Sequence, residues 1–369
     1  MKWSNVFSLP QPLAEAIMED MYYGKREEGL IRYCAEKNLD RSKIVHYSVN
    51  ELIRSPRQAL LSRRWDAELV KDVAMEIYRL LGSAIHFLLW ASAKRMNDAH
   101  LTWMPENDHG PNKTPQPRPP YYTAEERLFY HFNIDGFVVV VSGEPDLVAP
   151  DGVIHDYKVT AVWSWLRGIK DEWEKQLNMY AMFRTLAGRV TTGLEVCFIL
   201  RDWNVNETMQ SGYPPAGAQK MGVLLWDFKR QQDFLMDRIR VHLSVRDVLD
   251  DLLPECTAAE MWEKETSWAV KRRGGKVASK VFTPTKATPI EGETRDAAAL
   301  REATSYSDEA TAKLKGKEKE RDYFVEVRPG ERTKCLRFCD ARTKCNQFQE
   351  YAAASFRGSP DREPAEEIA

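Results

Sequence analysis

Asp146, Asp156 and Lys158, near the middle of the chain, have the residue types that metal-assisted hydrolysis requires. Carboxylates supply the oxygen ligands that Mg²⁺ prefers, and an ammonium group stabilises negative charge as it develops. The three residues belong to the sequence PDLVAPDGVIHDYK, in which Pro-Asp is followed by nine residues and then by Asp-x-Lys. Whether they act together depends on the elements that position them.

A hairpin turn between the two aspartates predicts that they face each other. Pro-Asp-Gly at 150–152 is typical of a three-residue turn with glycine in the left-handed conformation. Counting back along both strands places Asp146 opposite Asp156, and the two-residue side-chain period puts Lys158 on the same face. Two facing carboxylates repel, and a bound divalent cation removes that repulsion. The alternative is that both aspartates are solvated strand residues in another register.

Apolar periodicity predicts helices and strands on both sides of this hairpin. The predicted elements are helical segments at 9–38 and 66–97, a surface loop at 105–120, strands at 137–141 and from 153, a helix at 170–186, strands at 193–200 and 222–228, and a helix at 231–253. They divide the chain into an N-terminal helical lead-in at 1–45, a core at 46–255, a basic cysteine-containing segment at 256–350 and a disordered tail at 351–369.

Composition limits the possible classes of protein. With 369 residues, 43% of them hydrophobic, the chain can bury a sizeable core, and its net charge of −2 means that any DNA-binding surface must be local. No uninterrupted apolar stretch has the length of a membrane span, and the N-terminus lacks the apolar region of a signal peptide. We therefore expect a soluble, cytoplasmic protein without a membrane partner, whose six cysteines are thiols or ligands. The chain has no P-loop, so no ATPase motor is expected.

The order Pro-Asp, nine residues, Asp-x-Lys resembles the signature of the PD-(D/E)XK nuclease superfamily. The resemblance implies an α/β, restriction-endonuclease-like core with a mixed central sheet flanked by helices. Gly82-x-x-x-His86 further resembles the first motif of the RecB-like branch, which implies that the imidazole of His86 is a metal ligand. The alternative for His86 is a buried, hydrogen-bonded core residue.

Gln176-x-x-x-Tyr180, downstream, resembles the last motif of the same branch, whose residues contact DNA phosphate or stack at the site. Arg184 extends this helix face by one further step of four residues. A further acidic residue of the branch falls at Glu126, with Glu125 as a competitor.

Together, these motifs imply hydrolysis of a phosphodiester with Mg²⁺ or Mn²⁺. The ligands would be Asp146, Asp156, His86 and the main-chain carbonyl of Tyr157. Lys158 would orient the attacking water and stabilise the charge on the phosphate. Alternatively, Lys158 is a strand-edge lysine paired with Glu144, or is tuned by it.

A second group of residues consists of cysteines near the C-terminus. Cys335, Cys339 and Cys345 are three thiols in a short segment, and Cys256 is our choice for a fourth ligand, with Cys34 as the competitor. RecB-like nucleases of the AddB and CRISPR-adaptation types carry a four-cysteine [4Fe-4S] cluster, and this arrangement is similar; structural Zn²⁺ is the alternative. The chain departs from them in its Cys-x-x-x-Cys spacing and in having Ser-Pro-Arg at 55–57, where they have cysteine before Pro-Arg. Cys197 lies in a buried strand pattern and is expected in the core.

Two basic segments, at 54–64 and 271–276, are candidates for tracking a DNA backbone, with Trp262 and Trp268 available for stacking on unpaired bases. Solvated charged faces and core tryptophans are the alternative. The expected protein is a RecB-like exonuclease that acts on DNA ends or single strands in recombination, repair or replication, with a helicase or recombination protein as a possible partner. Family habit suggests a phage source and thus the host cytosol. An endonuclease of the same fold and a non-catalytic DNA-end-binding subunit are the alternatives.

Overall fold

The computed structural model describes residues 2–18, 23–103, 118, 120–314 and 322–356. The chain is mixed α/β and separates into two compact units, with the boundary between Pro254 and Glu255. Most of the loop expected at 105–120 lies outside the described residues. Of the tail expected to be disordered, 351–356 continue a helix and the rest lies outside the described residues.

The first unit contains helices and strands in irregular alternation. Its helices are α1 (Gln11–Met18), α2 (Tyr23–Glu36), α3 (Val49–Leu52), α4 (Pro56–Arg64), α5 (Ile77–Thr102), α6 (Val162–Leu166), α7 (Asp171–Leu186) and α8 (Phe228–Ser244). Its strands are β1 (Lys2–Ser4), β2 (Ile44–Ser48), β3 (Val70–Asp72), β4 (Thr123–Ala124), β5 (Leu128–Ile134), β6 (Phe137–Gly143), β7 (Leu147–Val148), β8 (Val153–Thr160), β9 (Gly193–Leu200) and β10 (Ala218–Val223).

The strands of this unit form two mixed sheets and one short parallel pair, β1 with β3. The larger sheet has the order β10-β9-β8-β7-β4, in which only β8 and β9 are parallel. The smaller has the order β2-β6-β5, with β2 parallel to β6. We expected one central sheet, but the ladder stops after Gly143 and resumes at Leu147. Pro145, which has no N–H to donate, lies in the interruption.

Helix α7 lies at the centre of the main hydrophobic core. Nearly all of its residues from Trp173 to Arg184 are buried, and they pack with apolar side chains of β6, β8 and β9. On β8, Ile154 and Asp156 share the core-facing side, so a carboxylate that is only 1% exposed lies among apolar groups. Burying a charge in this way is costly unless it is paired, so this position calls for a functional explanation.

Several predicted bounds were wrong because local patterns do not show where pairing ends. The strand expected at 222–228 is β10, which ends at Val223, and Phe228 instead begins α8 after Asp227, which caps the helix through its side chain. The helix expected from residue 66 begins at Ile77, after β3 and a 3₁₀ turn at Val73–Glu76. The helix predicted at 170–186 and the strand predicted at 193–200 are confirmed as α7 and β9.

The second unit has its own small core. Its elements are β11 (Ser267–Arg272), β12 (Ala278–Phe282), α9 (Arg295–Ala312), β13 (Tyr323–Arg328), α10 (Thr333–Arg337), a 3₁₀ turn at Asp340–Lys344 and α11 (Asn346–Phe356). The strands form an antiparallel sheet, β12-β11-β13, and Trp268 and Val270 pack against Ala299 and Ala303 of α9. Trp268 is therefore a core residue, and its predicted role in stacking on bases was wrong.

Candidate active site

The β7–β8 hairpin has the register that the sequence predicted. The Ala149 N–H donates to the Val153 carbonyl at 2.9 Å, and Leu147 pairs with His155. Gly152 has φ of +90°, the left-handed conformation that the turn requires. The next residues outward are the two aspartates, so the predicted geometry is confirmed at the level of the backbone.

Asp146 is held by two contacts that fix the orientation of its carboxylate. Its Oδ2 accepts a hydrogen bond from the Tyr157 N–H at 2.7 Å, and its Oδ1 lies 3.5 Å from His86 Nδ1. Burial raises the pKa of Asp146 well above its ordinary value, and repulsion from Asp156 raises it further. Lys158 and the Tyr157 hydrogen bond act in the opposite direction without cancelling the effect. The hairpin therefore brings together two carboxylates that destabilise each other.

Lys158 contacts both the aspartate pair and α7. Its Nζ lies 2.7 Å from Asp156 Oδ2 and 3.4 Å from Gln176 Oε1, to which it donates. Burial alone would lower the pKa of Lys158, but the carboxylates of Asp156 and Asp146 outweigh it, so the pKa lies above its ordinary value. Asp156 Oδ2 is buried and, apart from this ion pair with Lys158, has no hydrogen-bond partner within the described residues. It keeps unused acceptor capacity.

His86 approaches the hairpin from α5. Its Nε2 lies 3.3 Å from the Tyr157 carbonyl oxygen, and its ring meets the Tyr157 ring edge-on with centroids 5.9 Å apart. Burial lowers the pKa of His86, and the positive charge of Lys158 lowers it further. A neutral imidazole has a lone pair to offer to a metal, which a protonated one lacks.

The chemistry of these residues fits a divalent cation. Within the described ranges, no three His, Cys, Asp or Glu side chains approach closely enough to form a finished coordination set. The four predicted ligands nevertheless converge: Asp146 contacts His86 and the Tyr157 backbone, and Asp156 repels Asp146. The buried Asp156 Oδ2, whose partner within the described residues is Lys158, and the pair of repelling carboxylates would both be stabilised by a cation with oxygen ligands.

Gln176 and Tyr180 lie behind Lys158, and not at the protein surface. Gln176 Nε2 donates to the Tyr180 hydroxyl and to Asn50 Oδ1, each at 2.9 Å, which turns Oε1 towards Lys158. Burial raises the pKa of Tyr180, and the negative charges of Asp156 and Asp146 raise it further, so the phenol stays protonated. Both side chains are buried: Gln176 contacts Lys158 directly, and Tyr180 contacts Gln176. Contact with DNA, which the family motif implied, stays a prediction.

Asn50 is a site residue that the sequence did not reveal. It lies on α3 and reaches α7 through its contact with Gln176, which is 126 positions away. The only local signal is that α3 begins at a well-capped position, where the Glu51 N–H donates to Ser48 Oγ at 3.2 Å. No spacing rule links Asn50 to the hairpin.

Gly143 makes room for Tyr180, and replacing it tests this packing. A Cβ at Gly143 would lie 2.9 Å from Tyr180 Cε1 and 3.2 Å from Phe183 Cδ2. We expect Gly143→Ala to lower the free energy of unfolding by about 1–3 kcal/mol, because both rings belong to the packed core. Gly222→Ala, on β10, is the matched control, since a Cβ there meets no atom within 4 Å. Equal urea midpoints for the two variants would contradict the packing argument.

Three further predicted residues have structural partners. Glu126 forms a double contact with Arg189, with Nη2 donating to Oε1 at 3.0 Å. Arg184 is buried and donates to the Val190 carbonyl at 3.0 Å, so it does not extend the site as we predicted. Glu144 pairs with Arg127, and the close partner of Lys158 is Asp156.

Glu125 is nearer to the site than Glu126. Its N–H donates to the Asp146 carbonyl at 3.2 Å, and its charge adds to the raised pKa of Asp146. The competitor named from the sequence is therefore the better candidate for the additional acidic residue.

The four predicted cluster cysteines converge in the second unit. Burial, with smaller contributions from the neighbouring Cys335, Cys256 and Cys345 thiols, raises the pKa of Cys339 to about 12. Burial likewise raises the pKa of Cys335 to about 11, with contributions from Cys256 and Cys345. These electrostatic effects place the four thiols in the same part of the second unit, although no three of them form a ready-made metal site within the described residues.

Backbone contacts explain why Cys256 meets cysteines about 80 to 90 positions later. The Lys334 N–H donates to the Met261 carbonyl at 3.0 Å, which joins the segment after Cys256 to α10. Gln347 holds the Cys256 backbone at both ends: its Nε2 donates to the carbonyl, and its Oε1 accepts from the N–H, each at 2.9 Å. Cys34, the competing fourth ligand, is instead buried in an apolar cluster of the first unit with Leu30.

Cys197 was expected in the core, but it is only half-buried. Its Sγ lies 3.7 Å from His155 Nδ1. Because Cys197 alternates with the core-facing residues of β9, it lies on the other side of the sheet. The apolar pattern of that strand did not indicate which face it buries.

The predicted basic segments are largely occupied by structural contacts. Arg57 is buried and donates to the Leu253 and Pro254 carbonyls. Arg63 and Arg64 similarly bind main-chain oxygens and acidic side chains. In the second unit, Lys271 pairs with Glu326 at 2.7 Å and Arg273 with Asp322 at 2.7 Å, and Trp262 packs on Phe338. These segments make poor candidates for the main DNA surface.

Comparisons with known proteins do not assign the chain to a family. No family model and no curated protein matches the chain. A solved structure described as the crystal structure of SSO0001 is similar with a TM-score of 0.35 and 14% identity, covering 58% of this chain and 86% of that one. Among the described residues, Val73–Thr102 is long and apolar enough to cross a membrane by length and composition alone. That segment includes α5, which packs on β8 and positions His86, and a single such helix is weak evidence of a membrane span.

Proposed function

We propose that this protein is a metal-dependent DNA nuclease whose first unit has a restriction-endonuclease-like core. The observation that carries the proposal is the convergence of Asp146, Asp156 and Lys158 at one end of a buried hairpin, with His86 beside them. A strand of a mixed sheet, β8, that packs against both α7 and α5 supports the fold assignment. The resemblance of these residues to the PD-(D/E)XK motif supports DNA as the substrate.

The residues divide the chemical work between them. Bound Mg²⁺ or Mn²⁺, held by Asp146, Asp156, His86 and the Tyr157 carbonyl, would lower the pKa of water and neutralise phosphate charge. Lys158 has a raised pKa and stays protonated, so it acts as a hydrogen-bond donor that orients water and stabilises charge on the phosphate, and not as the base. Gln176 fixes its ammonium group from behind.

In the second unit, we propose that Cys256, Cys335, Cys339 and Cys345 hold a structural [4Fe-4S] cluster, with Zn²⁺ as the alternative. Burial and the neighbouring thiols disfavour deprotonation of Cys335 and Cys339, and a bound metal centre would offset this effect. The cluster would stabilise a part of the chain that otherwise has a small apolar core.

The direct test is release of nucleotides from end-labelled linear DNA. We expect release that requires Mg²⁺ or Mn²⁺, stops with EDTA and falls about a hundredfold or more in Lys158→Met, because one charged donor to the phosphate is lost. A Lys158→Met preparation made in the same way also reveals contaminating nuclease. Metal-independent release, or equal release by the two proteins, would contradict the proposal.

Closed-circular DNA separates the two nuclease classes. An exonuclease, which is our first choice, leaves circles intact and degrades the linear form, whereas an endonuclease cuts both. A protein that binds DNA ends but hydrolyses neither form would be the non-catalytic subunit that we considered as an alternative. The role in recombination, repair or replication, and a helicase or recombination partner, are part of the same proposal.

A further inference from the structure

A cavity of about 650 Å³ lies in the first unit beside the hairpin. Its walls come from α5, from the strand pair β4 and β7, from the hairpin turn and from the segment after α7. Its lining combines aromatic rings with cationic side chains: Trp90, Tyr121, Tyr122, Lys94, Arg184 and Arg189. Proteins that bind single-stranded nucleic acids use this combination of stacking surfaces and positive charge.

The cavity begins next to the proposed ligands. Trp90 and Lys94 follow His86 at successive steps of four residues, so the three share one face of α5. Each step advances about 6 Å along a helix, which places the Trp90 ring about one turn beyond the imidazole. On the opposite wall, Val148 of β7 is two residues from Asp146. The described lining contains none of the proposed metal ligands, and the shared face of α5 places the cavity about one helical turn from His86.

The walls are fixed by hydrogen bonds and by ring contacts of Trp90 with Phe87, centroids 5.8 Å apart, and of Tyr121 with His100, centroids 5.4 Å apart. Asn97 of α5 holds the Tyr122 backbone twice, with Oδ1 accepting from its N–H at 2.7 Å and Nδ2 donating to its carbonyl at 2.6 Å. Arg184 secures the opposite wall through the Val190 carbonyl. Such a preorganised cavity binds a ligand with a small loss of conformational entropy.

The balance of charge in the cavity favours an anion. Its described lining carries the cations Lys94, Arg184 and Arg189 against the anions Glu126 and Asp151, with Glu126 paired to Arg189. The Lys94 ammonium group lies 5.5 Å from the centre of the Trp90 ring, a neutral partner that leaves its charge available to phosphate.

We propose that this cavity binds unstacked nucleotides of a single DNA strand immediately beside the hydrolytic site, with a base on Trp90 and a phosphate near Lys94. The proposal rests on the proposed nuclease function and specifies its substrate as single-stranded. Bases of an intact duplex are stacked on one another, so their faces are not open to Trp90. The cavity volume lies within the range of sites that enclose small organic ligands.

The test measures binding separately from cleavage. Fluorescence anisotropy in EDTA, with labelled oligothymidylate and a blunt duplex of equal length, reports binding by the full chain without hydrolysis. We expect Trp90→Ala to weaken oligothymidylate binding about tenfold, in line with the loss of one stacked base, and duplex binding less than about twofold. Trp90→Phe should recover most of the affinity. Tyr78→Ala, which removes an exposed ring of α5 outside the cavity, is the matched control.

Each outcome separates this proposal from the proposed function. Wild-type oligothymidylate affinity in Trp90→Ala, or an equal loss for duplex and single strand, overturns the cavity proposal even if the protein hydrolyses DNA. If Trp90→Ala selectively loses affinity for oligothymidylate while the wild-type protein shows no metal-dependent nuclease activity, the binding cavity is supported and the nuclease assignment is overturned.

Discussion

Asp146→Asn is expected to abolish metal-dependent DNA hydrolysis, lowering the rate about a thousandfold or more. The substitution removes the negative charge of a proposed metal ligand and replaces one of its two oxygens by an amide nitrogen. The substitution should leave the hairpin intact. Asparagine retains an oxygen that accepts the Tyr157 N–H, the contact that now spans 2.7 Å. End-labelled linear DNA under the conditions that support the wild-type protein provides the measurement.

The same variant should be more stable than the wild type at neutral pH in the absence of metal. The folded-state pKa of Asp146 is raised, first by burial and then by Asp156, so the folded protein binds a proton more tightly than the unfolded chain. Stability from this group is fully present below the unfolded pKa, near 3.9, and falls as the pH rises towards the folded value. Each unit of upward shift corresponds to about 1.4 kcal/mol. Because the asparagine side chain does not titrate, the urea midpoint of Asp146→Asn in EDTA should fall less with rising pH than that of the wild type.

Asp151→Asn is the matched control, since it makes the same chemical change in the same hairpin. Its carboxylate accepts the Val153 N–H in the turn, a contact that asparagine can keep, and it lies outside the converging metal ligands, although it lines the cavity described above. Stability should remain close to that of the wild type, and hydrolysis should not fall, because the change removes only a negative charge from the cavity. If Asp146→Asn stays active, or becomes less stable than Asp151→Asn at neutral pH, the view of Asp146 as a destabilised ligand is wrong.

The hairpin could be predicted from the sequence because its geometry is local. Pro-Asp-Gly determines the turn, the turn determines the register, and the register places Asp146 against Asp156. Helix α7 and strand β9 could also be predicted, because the apolar pattern of each lies entirely within its own segment. In each case, the information lies within about 20 residues of the feature.

Features that depend on distant partners were not predictable in this way. Arg57 belongs to a basic run, yet it is buried because the carbonyls of Leu253 and Pro254 accept its hydrogen bonds from nearly 200 positions away. Asn50 similarly acquires its place through Gln176. A single sequence gives residue types and spacings. Neither of these identifies the distant residues that become partners only when the chain folds.

Cys339→Ala is expected to remove the metal centre that we propose for the second unit. Four thiolates are needed to complete a [4Fe-4S] or tetrahedral zinc site, and Cys339 is the thiol whose pKa the other three raise. Protein purified without oxygen should contain iron and sulfide and absorb visible light, and the variant should lose most of both. Cys197→Ser is the matched control, because Cys197 is also half-buried with a raised pKa but lies on β9 of the first unit.

Loss of the centre should also unfold the segment that carries it. The free energy of binding a structural metal adds directly to folding, about 10 kcal/mol or more for zinc-finger peptides, which exceeds what a small apolar core supplies. Limited proteolysis of Cys339→Ala should therefore cut within the second unit while the first unit survives. Stoichiometric zinc without visible absorption would select the zinc alternative. Wild-type metal content and protease resistance in the variant would mean that the four thiols converge for packing alone.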